Sequence, residues 1–336
     1  MPSSDRVIRW GILGTARIAA KIAAAIRDAD GADLAAIASR SSQRASAWAK
    51  EHGAARSVGT YDALLDAADI DALYIPLPPS LHAEWTIRAA EHGKHVLCEK
   101  PLAATEAEAE QMAAACGENG VQLMDGVMWL HHPRARQMLE PIRDGSLGEL
   151  KRVTSAFTFC WSKIPQDEFR LDRSLGGGAL LDLGWYCVGA SLWAFGELPQ
   201  RVWGSARYRR DVDMSFSGLL WFDGDRIASF DCGFDVGMRK WLEAAGTKAS
   251  LVCDDFTKPW DLQKARFWLH DADGKASENI APSRVQEVCM IEDFCEMIRR
   301  GKLDETWPRA SVATQRVCEA LDRSARGGEI VELRQG

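Results

Sequence analysis

Val7-Ile8-Arg9-Trp10-Gly11-Ile12-Leu13-Gly14-Thr15-Ala16-Arg17-Ile18-Ala19 begins as a short apolar run, breaks at a glycine and resumes as an Ala/Ile-rich stretch. A buried strand that turns through glycine into a helix accounts for that order of residues. The same alternation continues outward. Apolar strands are predicted at 34–39, 72–75, 96–99 and 121–124, and helices at 18–26, 43–52 and 83–92, with a helical turn at 61–65. Gly93 suits the end of one helix, and Thr105 suits the cap of another that runs to Gly117. Strand and helix in strict alternation predict a doubly wound parallel sheet over residues 1–125.

Beyond His132 the segments lengthen and alternate apolar with polar. Strands are predicted at 150–161, 201–209, 214–222, 226–234, 241–245, 249–253 and 265–270, with Asp223-Gly224 and Asp273-Gly274 as turns. Helices are predicted at 178–195, 285–300 and 311–325. The whole reads as α/β: a Rossmann-type parallel sheet, then an α/β domain at 126–336 with a large open, mainly antiparallel sheet. The final helices are expected to pack back on the first domain. A length of 336 residues fits two domains.

A net charge of −7 argues against nucleic acid as a partner, because phosphate backbones require a basic face. No apolar run reaches the ~18 residues of a membrane span, and residues 1–10 lack the apolar core of a signal peptide. Nine scattered cysteines, with no Cys-x-x-Cys, read as reduced core thiols in a cytoplasmic protein. Thirteen tryptophans is a high count; most are expected in the core or on sheet faces, and a few could line a sugar site.

The turn at Gly14 stands where a dinucleotide fingerprint belongs. Gly14 permits the tight turn, Ala16 and Ala19 occupy places where glycines often stand, and the helix start offers free N–H groups to a pyrophosphate. Thr15, Arg17 and Ile18 complete this set. A plain strand–turn–helix would look similar. At the end of the second strand, an acidic residue would grip the ribose of NAD. This chain has Ser39-Arg40-Ser41-Ser42 and then Arg44, which suit the 2′-phosphate of NADP. A solvated basic loop is the competing reading, and NAD stays open.

Two constellations carry the chemistry. Tyr74-Ile75-Pro76-Leu77-Pro78-Pro79-Ser80-Leu81-His82 and Cys98-Glu99-Lys100-Pro101 follow predicted parallel strands, where ligands bind in doubly wound sheets. Pro76, Leu77, Pro78, Leu81, His82, Glu99 and Lys100 are therefore expected at the cofactor, with His82 as a structural or cofactor-wall residue. A lysine at a strand tip needs an anion or an oxygen gaining charge. The second constellation is Arg170-Leu171-Asp172 with Gly176-Gly177-Gly178-Ala179-Leu180-Leu181-Asp182-Leu183-Gly184-Trp185-Tyr186. Asp182 and Tyr186, four apart, would share one helical face. Arg170 is expected to contact cofactor or substrate, with an ion pair to Asp172 as the alternative. His131-His132, read as extended, would point apart, and no metal is expected.

Glu99-Lys100-Pro101 together with Gly-Gly-Gly-x-x-x-Asp-x-Gly-x-Tyr resembles the glucose-fructose oxidoreductase / inositol dehydrogenase (Gfo/Idh/MocA) family over nearly the whole chain. The resemblance implies an NAD(P)-dependent oxidoreductase acting on a sugar, polyol or diol, with Lys100, Asp182 and Tyr186 as the catalytic set. It also implies a homodimer or homotetramer formed through the open sheet. Tyr186 would take the hydroxyl proton, helped by the Lys100 ammonium, and both would border one cleft beside the nicotinamide. A dihydrodiol-type dehydrogenase is one alternative, and a non-catalytic NADP-sensing regulator is another. Ala16, Pro79 and Asp125 depart from the family pattern, where Gly, Asn and Glu are common.

Overall fold

The computed structural model describes residues 6–161 and 168–333, which divide into two units. The first comprises residues 6–131 with 285–312. Its strands are β1 (Ile8–Leu13), β2 (Ala32–Ala38), β3 (Arg56–Val58), β4 (Ala72–Ile75), β5 (His95–Cys98) and β6 (Leu123–Asp125). Between them run α1 (Arg17–Asp28), α2 (Ser42–His52), α3 (Tyr61–Leu65), α4 (His82–Glu91) and α5 (Glu106–Glu118). All pairs are parallel, in the order β3-β2-β1-β4-β5-β6. The order reverses between β1 and β4, and a crevice at such a reversal is where doubly wound sheets bind ligands.

β1 is buried almost throughout because helices cover both faces of a parallel sheet. A Cβ at Gly11 would sit 2.8 Å from Leu73 Cδ2, so glycine lets β1 and its neighbours close up. In α1, Ala19, Ile22, Ala23 and Ile26 form the buried stripe expected of an amphipathic helix. Thr105 and Glu108 form a complete capping box at the start of α5. The edge strand β3, three residues of which only Val58 is apolar, was not expected from the sequence.

The second unit comprises residues 132–284 with 313–333. It starts with α6 (Pro133–Arg143), whose proline at the first position costs no hydrogen bond. β7 (Leu150–Cys160), α7 (Trp185–Phe195), β8 (Arg201–Arg209), β9 (Val212–Trp221), β10 (Ile227–Gly233), β11 (Asp235–Gly246), β12 (Ser250–Cys253), β13 (Ala265–His270) and β14 (Ala276–Ala281) follow. A short β15 (Val331–Glu332) completes a nine-stranded sheet, ordered β14-β13-β12-β11-β7-β10-β9-β8-β15. β7 and β10 are parallel and every other pair is antiparallel. α7 covers one face, where Tyr186 meets Phe157 of β7 edge-on at 5.3 Å.

The chain then returns to the first unit. α8 (Gln286–Arg300) buries Met290, Ile291, Phe294 and Cys295 in the core around Trp10, and the Phe294 and Trp10 rings lie 5.4 Å apart. α9 (Thr306–Gly327) begins five residues earlier than the sequence pattern suggested. Pro308 is accommodated because proline in the first turn removes only an N–H that has no helical partner.

Candidate active site

In the first unit, Gly14 adopts φ +105°, and a Cβ there would lie 3.1 Å from Leu77 Cδ2 and 3.3 Å from Tyr61 Oη. Only glycine fits this turn. Ala16 then starts α1 with no side-chain cap, and its first turn holds no acid. Within this uncapped start Ala19 N donates to Ala16 O at 2.9 Å, and the positive end of the twelve-residue helix's dipole suits an anion. Thr15 and Ile18 are half-buried there, and Arg17 is exposed. Tyr61, whose hydroxyl faces Gly14, escaped the sequence reading because a lone tyrosine in a short helical turn carries no motif.

At the end of β2, Ser39 is buried with its Oγ 3.4 Å from Ser41 N. The Ser41 hydroxyl in turn accepts from Arg44 N at 3.3 Å and caps α2. Arg40 and Arg44 are exposed, and among the described residues neither guanidinium is paired with a carboxylate. A glycine-lined turn, an uncapped helix start and two available guanidinium groups fit the phosphates of a dinucleotide.

Pro76, Leu77 and Pro78 leave β4 and lead into a single 3₁₀ turn, Pro79–Leu81, before α4. His82 is fully buried. Its Nε2 lies 2.7 Å from Leu77 O, and its Nδ1 lies 3.0 and 3.2 Å from Pro101 O and Leu102 O. The ring therefore ties the loop after β4 to the loop after β5. Burial lowers its pKa from the usual histidine range, an effect opposed by the three carbonyl contacts. In the loop after β5, the buried Tyr74 hydroxyl donates to Glu99 Oε1. A Cβ at Gly126 would come within 3.0 Å of that oxygen, so glycine is needed beside the carboxylate. Lys100 follows, half-buried at the carboxyl end of β5, joined to Pro101 by a cis peptide.

In the second unit, Gly177 and Gly178 pack under Arg170. Gly178 N donates to Arg170 O at 2.9 Å, and a Cβ on Gly177 would lie 2.6 Å from the same carbonyl. The Arg170 guanidinium reaches Glu168 Oε1 at 3.3 Å and Asp182 Oδ2 at 3.0 Å. The alternative expected pair with Asp172 does not form. Asp172 instead accepts from Ser174 N at 2.9 Å, because a turn residue satisfies its own backbone first.

The expected helix from residue 178 also needs correction. Gly178 has φ +125°, outside helical space, so the helix starts later. Leu180–Gly184 form a π-turn that carries Asp182, and Tyr186 stands in the first turn of α7. The spacing of four thus crosses a π-to-α junction. Such turns recur at functional sites.

Asp213 was missed altogether. Its Oδ2 accepts from Leu180 N at 2.7 Å, and its Oδ1 occupies the space a Cβ on Gly178 would need. Burial pushes its carboxyl up to about 7, opposed by the Leu180 amide bond.

Of the histidine pair, only His132 has extended backbone. His131 ends a 3₁₀ turn, Met128–His131, and its Nδ1 lies 2.8 Å from Asp293 Oδ2. His132 caps α6, accepting from Arg134 N at 3.1 Å.

Comparison with known proteins agrees with this architecture. The profile of the oxidoreductase family with an NAD-binding Rossmann fold matches residues 8–127, and that of the GFO/IDH/MocA C-terminal domain matches 135–252. A D-xylose 1-dehydrogenase (NADP(+)) of Haloferax volcanii is 36% identical over 96% of this chain and 99% of its own. The crystal structure of a 3-ketoreductase from Actinomadura kijaniata, in complex with NADP and TDP-benzene, aligns with a TM-score of 0.88 at 31% identity, covering 95% of this chain and 98% of its own. An aldose-aldose oxidoreductase from Caulobacter crescentus, complexed with glycerol, gives 0.88 at 29% identity over 98% and 100%. Two family domains in order, and relatives matched nearly end to end, establish that the chain belongs to the GFO/IDH/MocA family of NAD(P)-dependent oxidoreductases.

Proposed function

We propose that this chain is an NADP-dependent oxidoreductase that interconverts a hydroxyl and a carbonyl on a sugar or polyol. The observation that carries the cofactor preference is the pair Arg40 and Arg44 at the end of β2, exposed and without carboxylate partners among the described residues. Paired donors of this kind match a 2′-phosphate. Gly14 to Ile18 would hold the pyrophosphate, with Leu77, Leu81 and the Glu99 loop along the rest of the cofactor. Relatives named for xylose and for a TDP-linked keto sugar support the substrate class.

When bound, a nicotinamide supplies the acceptor or donor of hydride. The protein's own groups manage the proton and the charge. In the oxidising direction, Tyr186 Oη, as a phenolate favoured by the Lys100 ammonium, takes the proton of the substrate hydroxyl and becomes the phenol. Lys100 Nζ offsets negative charge growing on that oxygen. Asp182, oriented by Arg170, accepts a neighbouring substrate hydroxyl. In the reducing direction Tyr186 returns the proton.

The proposed oligomer uses the sheet face opposite α7. The strand register sets Trp203, Leu219 and Trp241 there, and Trp241 is 39% exposed. Nine free cysteines, eight of them buried, favour a reducing compartment such as the cytoplasm.

A panel of aldoses, inositols and cyclic diols, followed by NADPH absorbance with NAD in parallel, tests the proposal. Turnover of a sugar or polyol with NADP is expected. Saturable NADP binding without turnover of any compound would instead make the chain a nucleotide-sensing regulator.

A further inference from the structure

The paired register of β8 and β9 slips at one point. Arg207 faces Ser215, but the next residue, Tyr208, faces Asp213, so Met214 is an unpaired bulge. Side chains on a strand alternate between faces, and one extra residue reverses that alternation. Without the slip, Asp213 would share the face of Ser215 and Ser217, on the side of the sheet away from α7. With it, Asp213 turns to the side that α7 covers and is buried there, 7% exposed. A carboxylate is set on that face only at a cost, and here it meets a specific partner.

That partner is the start of the π-turn. Oδ2 accepts from Leu180 N at 2.7 Å, and Leu180 is the first residue of the turn that holds Asp182. Oδ1 lies 2.1 Å from the position of a Cβ on Gly178, so the third glycine of the Gly-Gly-Gly run is what admits the carboxylate. Tyr208 from β8, Arg173 and Asp322 are the other polar groups around it, and Arg173 is engaged with Asp322 at 2.9 Å.

We infer that Asp213 is a positioning residue for the reaction: by holding the Leu180 amide it fixes the π-turn and so the placement of Asp182 and Tyr186. The inference rests on the proposed roles of those two residues. Bulge, triple glycine and π-turn then form one device, in which each irregularity has its counterpart in the next.

The test compares Asp213→Ala and Asp213→Asn with the native enzyme. Kinetics are measured on the sugar or polyol that the panel identifies, and amide hydrogen exchange is followed over residues 178–186. Losing a buried hydrogen-bond acceptor typically lowers turnover by about tenfold or more when the bond fixes a reacting group. Asp213→Ala is expected to show that loss and a raised KM for the sugar, with faster exchange at Leu180 and unchanged affinity for NADP. Asp213→Asn keeps an acceptor of the same shape, and should stay within about tenfold of native turnover with Leu180 protected. If Asn is as impaired as Ala, or if Ala leaves both turnover and Leu180 exchange unchanged, the inference fails. Should Ala not fold, Asn decides alone: a loss beyond about tenfold with Leu180 still protected overturns it. If the native protein turns over no panel compound, the proposed function has failed, and exchange at Leu180 still reports whether Asp213 anchors the turn.

Discussion

Arg170 Nε lies 3.0 Å from Asp182 Oδ2, and the same guanidinium contacts Glu168 Oε1 at 3.3 Å. The carboxylate proposed to receive substrate is thus paired with a cation that also contacts a second carboxylate. Replacing Arg170 with Leu should lower kcat/KM for the sugar by about 10–100-fold, as expected on losing a partly buried ion pair. Arg170→Lys should recover only part, because an ammonium is a point charge and not a planar fork. NADP affinity should hold in both. A fall in NADP affinity would return Arg170 to the cofactor, which the sequence also allowed.

Arg40 and Arg44 supply a second prediction. Arg40→Ala and Arg44→Ala should each weaken NADP by about 10–100-fold and leave NAD nearly untouched, since only the former carries a 2′-phosphate. Isothermal titration with both cofactors checks this. An equal loss for NAD would place the two arginines elsewhere on the dinucleotide.

The pH dependence of stability contains two opposed contributions. Burial lowers His95 and His132 to about 4, against roughly 6.5 in an unfolded chain. Their stabilisation is present above pH ~6.5 and is lost as pH falls towards 4. Asp213 works the other way: its carboxyl is raised to about 7, so its contribution is full below pH ~3.9 and disappears as pH rises through 7. Asp213→Asn should therefore be most favourable relative to the native protein near pH 8, with the advantage shrinking towards pH 4. Urea unfolding across that range reads the gap, and a gap flat with pH would contradict the account.

His82 makes a fourth case. His82→Leu should destabilise the first unit by about 1–3 kcal/mol for each carbonyl left buried without a partner. The loops after β4 and β5 should then exchange amide hydrogens faster than α5. Unaltered exchange in both loops would show that the imidazole does not tie them.

Much of the architecture was legible because it rests on repeating patterns. Apolar runs of four to seven residues between amphipathic helices specify a parallel sheet, and Gly14 and Lys100-Pro101 mark the ends of its strands. The elements that stayed hidden have no room for a pattern. β3 has three residues, β15 has two, and β14 is a polar edge strand of six. Asp213 was illegible for another reason. Strict alternation assigns it to the wrong face, and the bulge at Met214 that corrects this is visible only once β8 and β9 are paired. The π-turn around Asp182 was equally closed to a period-based reading. Glu168, the second partner of Arg170, carries no motif.

The roles of Lys100 and Tyr186 are the heart of the proposal, and a pair of variants tests them most directly. Lys100→Met and Tyr186→Phe are to be assayed on the identified substrate with NADP, beside a direct measurement of NADP binding. The account predicts turnover lowered by about 10²–10³-fold in each, with much of the cofactor affinity retained. Near-native turnover in either variant would contradict it.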